Sequence, residues 1–98
     1  MTHETLKDLF DRHADAEHLH WERVTNRRSQ RPDLHAFLLL DALQPGDGDI
    51  VSGAEHDTFY MHTNIEKLAD VITEDQVVEL LRCGILLDPL GDFLYSFC

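Results

Sequence analysis

The sequence predicts an α+β fold, a small, mostly antiparallel sheet packed by a long N-terminal helix and two short helices. Three observations carry that expectation. Residues near the start recur at helical steps of three and four, the stretch "TFYMH" at 58–62 alternates in strand fashion, and two threonines each stand three residues before a Glu or Gln. With 98 residues the chain has room for one domain, divided into an N-terminal helix and basic linker (1–31) and an acidic α+β body (32–98).

The elements follow in order. Leu6, Leu9, Phe10, His13, Glu17, His20 and Val24 share one helical stripe, so the first helix is expected from about Glu4 to Val24. "TNRRSQRP" ends it as a polar, basic surface linker, because Pro32 disfavours a helical residue before it. The apolar run "HAFLLLDAL" fits a buried strand or a buried helix, periodicity alone does not separate them, and it is read as a strand. "PGDGD" at 45–49 is a turn, and a hairpin is expected around Gly53 to His56. Phe59 and Met61 then face one way, and Thr58, Tyr60 and His62 the other.

Two capping boxes, Thr63 with Glu66 and Thr73 with Gln76, announce two short helices. The second stops at Gly84, the usual residue for a left-handed position after a helix. "ILLDPLGDFLYSF" closes as a hairpin turned by Asp88, Pro89 and Gly91. Residues 50–62 can be laid on residues 85–97 with Ile50/Ile85, Asp57/Asp92 and Tyr60/Tyr95 matching, too few identities to indicate a duplication.

Charge is unevenly placed. Residues 1–32 hold six cations and six carboxylates, whereas residues 33–98 hold two and thirteen, so the whole net charge of −11 lies in the body. Such a field repels nucleic acid and anionic membrane and steers basic partners inward. No run approaches the roughly 18 apolar residues of a membrane span, and the start lacks a signal-peptide pattern, so a cytoplasmic location is expected. Cys83 and Cys98 have no metal-like or framework spacing.

The candidates for chemistry are few. On a helix, His13, Glu17 and His20 would share a face, and Glu17-x-x-His20 has the spacing used by carboxylate-bridged metal bundles. His18 points elsewhere, the ligands from other helices would have to be carboxylates alone, and a solvated helix face is the favoured reading. His56 beside Asp57 lacks a placed nucleophile, Ser52 included. No phosphate-binding glycine motif occurs, and no cofactor is expected. The arginines Arg23, Arg27, Arg28 and Arg31 suit a hinge or a partner contact better than nucleic acid, given the net charge.

There remains the acidic surface. Asp47, Asp49, Glu55, Asp57, Glu66, Asp70, Glu74, Asp75 and Glu79 are the candidate partner-binding residues, with Trp21, Tyr60 or Tyr95 as apolar anchors where exposed. Ordinary solubilisation and dipole stabilisation of helix starts account for the same carboxylates equally well.

At "AEHDTFYMHTNIEKLADVITEDQVVELLRCG" and the terminal "DFLYSFC", the chain resembles small uncharacterised proteins encoded in bacteriophage and prophage genomes. The resemblance covers the last half and implies a bacterial cytoplasm and a role in phage–host conflict. Short acidic inhibitors of host nucleic-acid machinery, anti-CRISPR proteins among them, are a recurring type there. The expected function is therefore a non-enzymatic inhibitor of a basic, nucleic-acid-binding host protein, of anti-CRISPR or DNA-mimic type. The alternatives are a metal-binding module or metal-dependent enzyme on the N-terminal helix, and a structural homo-oligomer, a homodimer for instance, in which the arginine segment meets another copy's acidic body. Protonation of all seven histidines would take the formal charge from −11 to −4, so binding to a basic partner is expected to be weaker near about pH 5 than near about pH 8.

Overall fold

The computed structural model describes residues 1–14 and 20–97. Among them the chain forms four α-helices and a four-stranded antiparallel sheet, the α+β class expected. Helix α1 spans His3–His13, capped by Thr2, whose hydroxyl accepts the Thr5 amide at 3.1 Å. Leu6, Leu9 and Phe10 are its buried stripe. The helix does not run on to Val24 as expected: His20 is extended, and Trp21–Arg23 form a separate 3₁₀ turn. Past Phe10 the stripe offers only His13, Glu17 and His20 until Val24. A helical face with nothing apolar to bury gains little from packing, which supplies most helix stability. Glu17 and His18 lie outside the described residues.

Helix α2 (Pro32–Leu43) corrects the strand expected over residues 36–43. Pro32 stands in its first turn, where the missing amide costs nothing. The run 34–43 contains no β-branched residue and is rich in Leu and Ala, strong helix formers. Its periodicity is hidden because Leu34 and Leu38 are exposed while His35, Ala36, Leu39 and Leu40 are buried.

Strands β1 (Val51–Glu55) and β2 (Thr58–Met61) make a hairpin whose turn is His56–Asp57, two residues later than a turn centred on Gly53 to His56 would place it. His56 takes a positive φ of 49° there. Gly53 instead lies within β1 opposite Tyr60, next to a bulge between Val51 and Gly53. Helices α3 (Ile65–Val71) and α4 (Glu74–Arg82) follow. The α4 box, Thr73 with Gln76, forms as expected.

The α3 box does not. Asn64, not Thr63, is the cap, accepting the Lys67 amide at 3.0 Å. Gln44 at the end of α2 fixes it from both sides, its carbonyl accepting the Asn64 amide at 2.9 Å and its NH₂ donating to the Asn64 carbonyl at 3.0 Å. A tertiary contact thus decides which of two adjacent polar residues caps.

Gly84 leaves α4 with φ 85°, and β3 (Leu86–Leu87) and β4 (Leu94–Phe97) close the chain as a second hairpin. The sheet order is β1-β2-β4-β3, with Tyr60 directly opposite Tyr95. Helices cover one face, where Met61 and Leu94 join Leu6, Leu39, Leu68, Leu80 and Ile85 in one core. The N-terminal helix therefore belongs to the body. Its end is pinned by His3, whose Nε2 lies 2.7 Å from the Gly91 carbonyl oxygen.

Candidate functional site

The nine candidate carboxylates occupy four places. Asp47 and Asp49 lie in the loop after α2, Glu55 and Asp57 at the tip of the first hairpin, Glu66 and Asp70 on α3, and Glu74, Asp75 and Glu79 on α4. Eight are exposed and Glu79 is partly buried. Two lie within ion-pair distance of a basic side chain. Glu74 Oε2 lies 2.9 Å from His13 Nε2 and 3.9 Å from Arg12, joining α4 to the end of α1. Glu79 Oε1 lies 3.3 Å from His35 Nε2. Among the described residues the other seven form no ion pair.

Two hollows lie among them. The larger, about 520 Å³, sits between the 44–50 loop and the start of α3, with Asp41, Asp47 and Asp49 facing His62 and Lys67. The smaller, about 490 Å³, lies beside α4 and is lined by Asp75, Glu79, Arg82 and Thr25. Both are open and mixed in charge, unlike the enclosed, apolar sites that hold small molecules.

Among the described residues the metal candidates do not assemble. His13 is committed to Glu74, His20 is extended and exposed, and Glu17 lies outside the described residues. Among the described residues, no three His, Cys, Asp or Glu side chains converge as ligands would. The shared helical face depended on α1 continuing past His13.

Among the described residues the most deeply buried polar side chain is one that the sequence pattern did not single out. His35 is 1% exposed, and its Nδ1 accepts the Arg28 amide at 3.0 Å, so the ring proton sits on Nε2 and faces Glu79. The two are close enough to attract, but misaligned for a hydrogen bond. Trp21 packs on the same ring at 5.5 Å, and the Arg27 guanidinium covers the indole at 4.4 Å while donating to the Trp21 and Val24 carbonyls. His35 therefore ties the arginine segment to α2. Its signal was a lone histidine inside an apolar run, in the first turn of a proline-started helix.

That arrangement removes Trp21 from the list of free anchors. Tyr60 and Tyr95 remain, side by side on the sheet face away from the helices. The Tyr60 hydroxyl lies 3.4 Å from Glu55, and partial desolvation together with that carboxylate raises its pKa above the ordinary phenol value. Cys83, at the end of α4, is pushed up to about 12 by burial and by Glu79, which makes it a neutral, weakly nucleophilic thiol. Among the described residues, no helix is long and apolar enough to cross a membrane. Comparison of the chain with protein-family models, with curated proteins and with solved structures finds no match in any of the three.

Proposed function

We propose that the protein is a non-enzymatic interaction protein whose acidic body binds a basic, nucleic-acid-binding protein. In keeping with the phage resemblance, it acts in the bacterial cytoplasm as an inhibitor of anti-CRISPR or DNA-mimic type. One observation carries this reading. Seven candidate carboxylates are exposed and form no ion pair among the described residues, in a body that holds the entire net charge of −11. A surface of one sign raises the local concentration of oppositely charged partners and speeds their encounter.

The test is capture by the tagged protein from a bacterial lysate, washed at low and at high salt, with the retained proteins identified by mass. A basic nucleic-acid-binding protein held at low salt and released by competing DNA is the expected result. Retention of nothing, or of a partner whose association rate ignores salt, overturns the proposal.

A further inference from the structure

The geometry points to the open face of the sheet as a docking surface for arginine side chains of a basic partner. This rests on the proposed binding function and assigns the contact to a part of the body that the nine carboxylates alone do not single out.

Alternation within β2 and β4 turns Phe59, Met61, Leu94 and Ser96 towards the helices. Tyr60, Tyr95 and Phe97 are left on the other side, and Phe93 extends their row. Neighbouring ring centroids are 5.3 Å apart for Tyr60–Phe93, 6.3 Å for Phe93–Tyr95 and 5.7 Å for Tyr95–Phe97, all edge to face. Phe97 is 62% exposed at the end of the row. Antiparallel sheets with one solvated face usually place polar residues there, and apolar residues scattered singly need no explanation. Four contiguous rings are not scattered.

Charge selects the occupant. The hairpin segments 50–62 and 85–97 contain no Lys or Arg, and they carry Glu55, Asp57, Asp88 and Asp92. Glu55 reaches the stripe itself, at the Tyr60 hydroxyl. Ring faces attract cations, and a guanidinium is planar and weakly hydrated enough to stack on them while pairing with a carboxylate beside them. Bases of single-stranded nucleic acid also stack on aromatic sheets. Here, however, phosphates would meet these carboxylates on segments that supply no cation of their own, and Lys7 of α1 comes near the second hairpin at Gly91, in its connection rather than in its strands. The molecule already makes one contact of the proposed kind, between Arg27 and Trp21.

The test is calorimetric titration of the full chain with nona-arginine, nona-lysine and a single-stranded RNA decamer. The titrations are repeated on Phe97→Ala and on Phe97→Ala with Tyr95→Thr, with circular dichroism to confirm the fold. Phe97 is exposed enough that the single variant keeps its core. Nona-arginine is expected to bind about tenfold more tightly than nona-lysine, and the double variant to lose most of that preference while keeping a salt-sensitive residue of binding to both. Equal affinity for the two peptides, unchanged in the variants, overturns the sheet assignment and leaves the acidic-binder reading standing. Binding of the RNA, or self-association abolished by Phe97→Ala, overturns the assignment by giving the face another occupant. Failure of both peptides to bind overturns the proposed function together with it.

Discussion

The two hairpins are the same unit built to different tolerances. Each supplies an outer strand and an inner strand, and the inner strands β2 and β4 meet at the sheet centre with Tyr60 opposite Tyr95. The first has a five-residue outer strand, Val51–Glu55, exposed along most of its length, and a two-residue turn. The second has an outer strand of only two residues, a longer connection, and α1 packed against it. Stability is therefore concentrated in the second hairpin, which is tied to the core and to α1. The first projects its tip, with Glu55 and Asp57, into solvent.

Core truncation gives the largest test of this difference. Leu94, fully buried in β4, should cost about 3 kcal/mol when replaced by Ala. Val51→Ala, at an edge position 41% exposed, should cost less than about 1 kcal/mol. Urea denaturation midpoints measure both, and similar losses would erase the contrast. Gly91→Ala comes next. Gly91 has φ 78°, and a Cβ there would stand 2.9 Å from His3 Nε2. A loss of about 2 kcal/mol is expected from the left-handed backbone and the collision together. In a His3→Ala background only the backbone part should remain.

The opposite sign is expected at the first hairpin. His56→Gly relieves a non-glycine residue at φ 49° and should raise stability by about 0.5 kcal/mol, part of the relief being offset by the entropy of the unfolded glycine. A loss instead would show that the His56 side chain contributes more than the strain it bears. The smallest effect at neutral pH lies at Cys83, beside the entry to the second hairpin. Its thiol is pushed up to about 12 in the fold, whereas an unfolded thiol ionises near about 8.5, so the stability tied to it is fully present below that lower value and declines as pH rises towards the upper one. In a Cys98→Ser background, reaction with Ellman's reagent at about pH 8 should be much slower than after denaturation. Equal rates would show that the thiol is open to solvent.

The sequence made the second hairpin and α4 legible because their signals are local. Thr73 and Gln76 satisfy each other's orphan groups within one turn, and Gly84 and Gly91 mark the two positive φ angles that glycine most readily adopts. The errors arose where distant contacts decide. Asn64 rather than Thr63 caps α3 because Gln44 holds it, α1 stops where its stripe has nothing further to bury, and α2 hides its periodicity under two exposed leucines. The candidate site was legible as composition but not as geometry. Nothing in the spacing of Glu74 and Glu79 shows that histidines 61 and 44 residues away in sequence would engage them, and cross-strand register alone brings Tyr60 beside Tyr95.

Trp21 is the only tryptophan, and it lies on His35 and under Arg27 rather than in the sheet. The molecule thus carries two separable optical reporters. Indole emission follows the docking of the arginine segment onto α2, while the two tyrosines, both in the sheet, report the sheet through their near-ultraviolet signal. Unfolding curves recorded at the two signals coincide if the segment and the sheet melt as one cooperative unit. An indole transition that comes first would mark the segment as an independently released strap, held to the body by the Arg28–His35 bond.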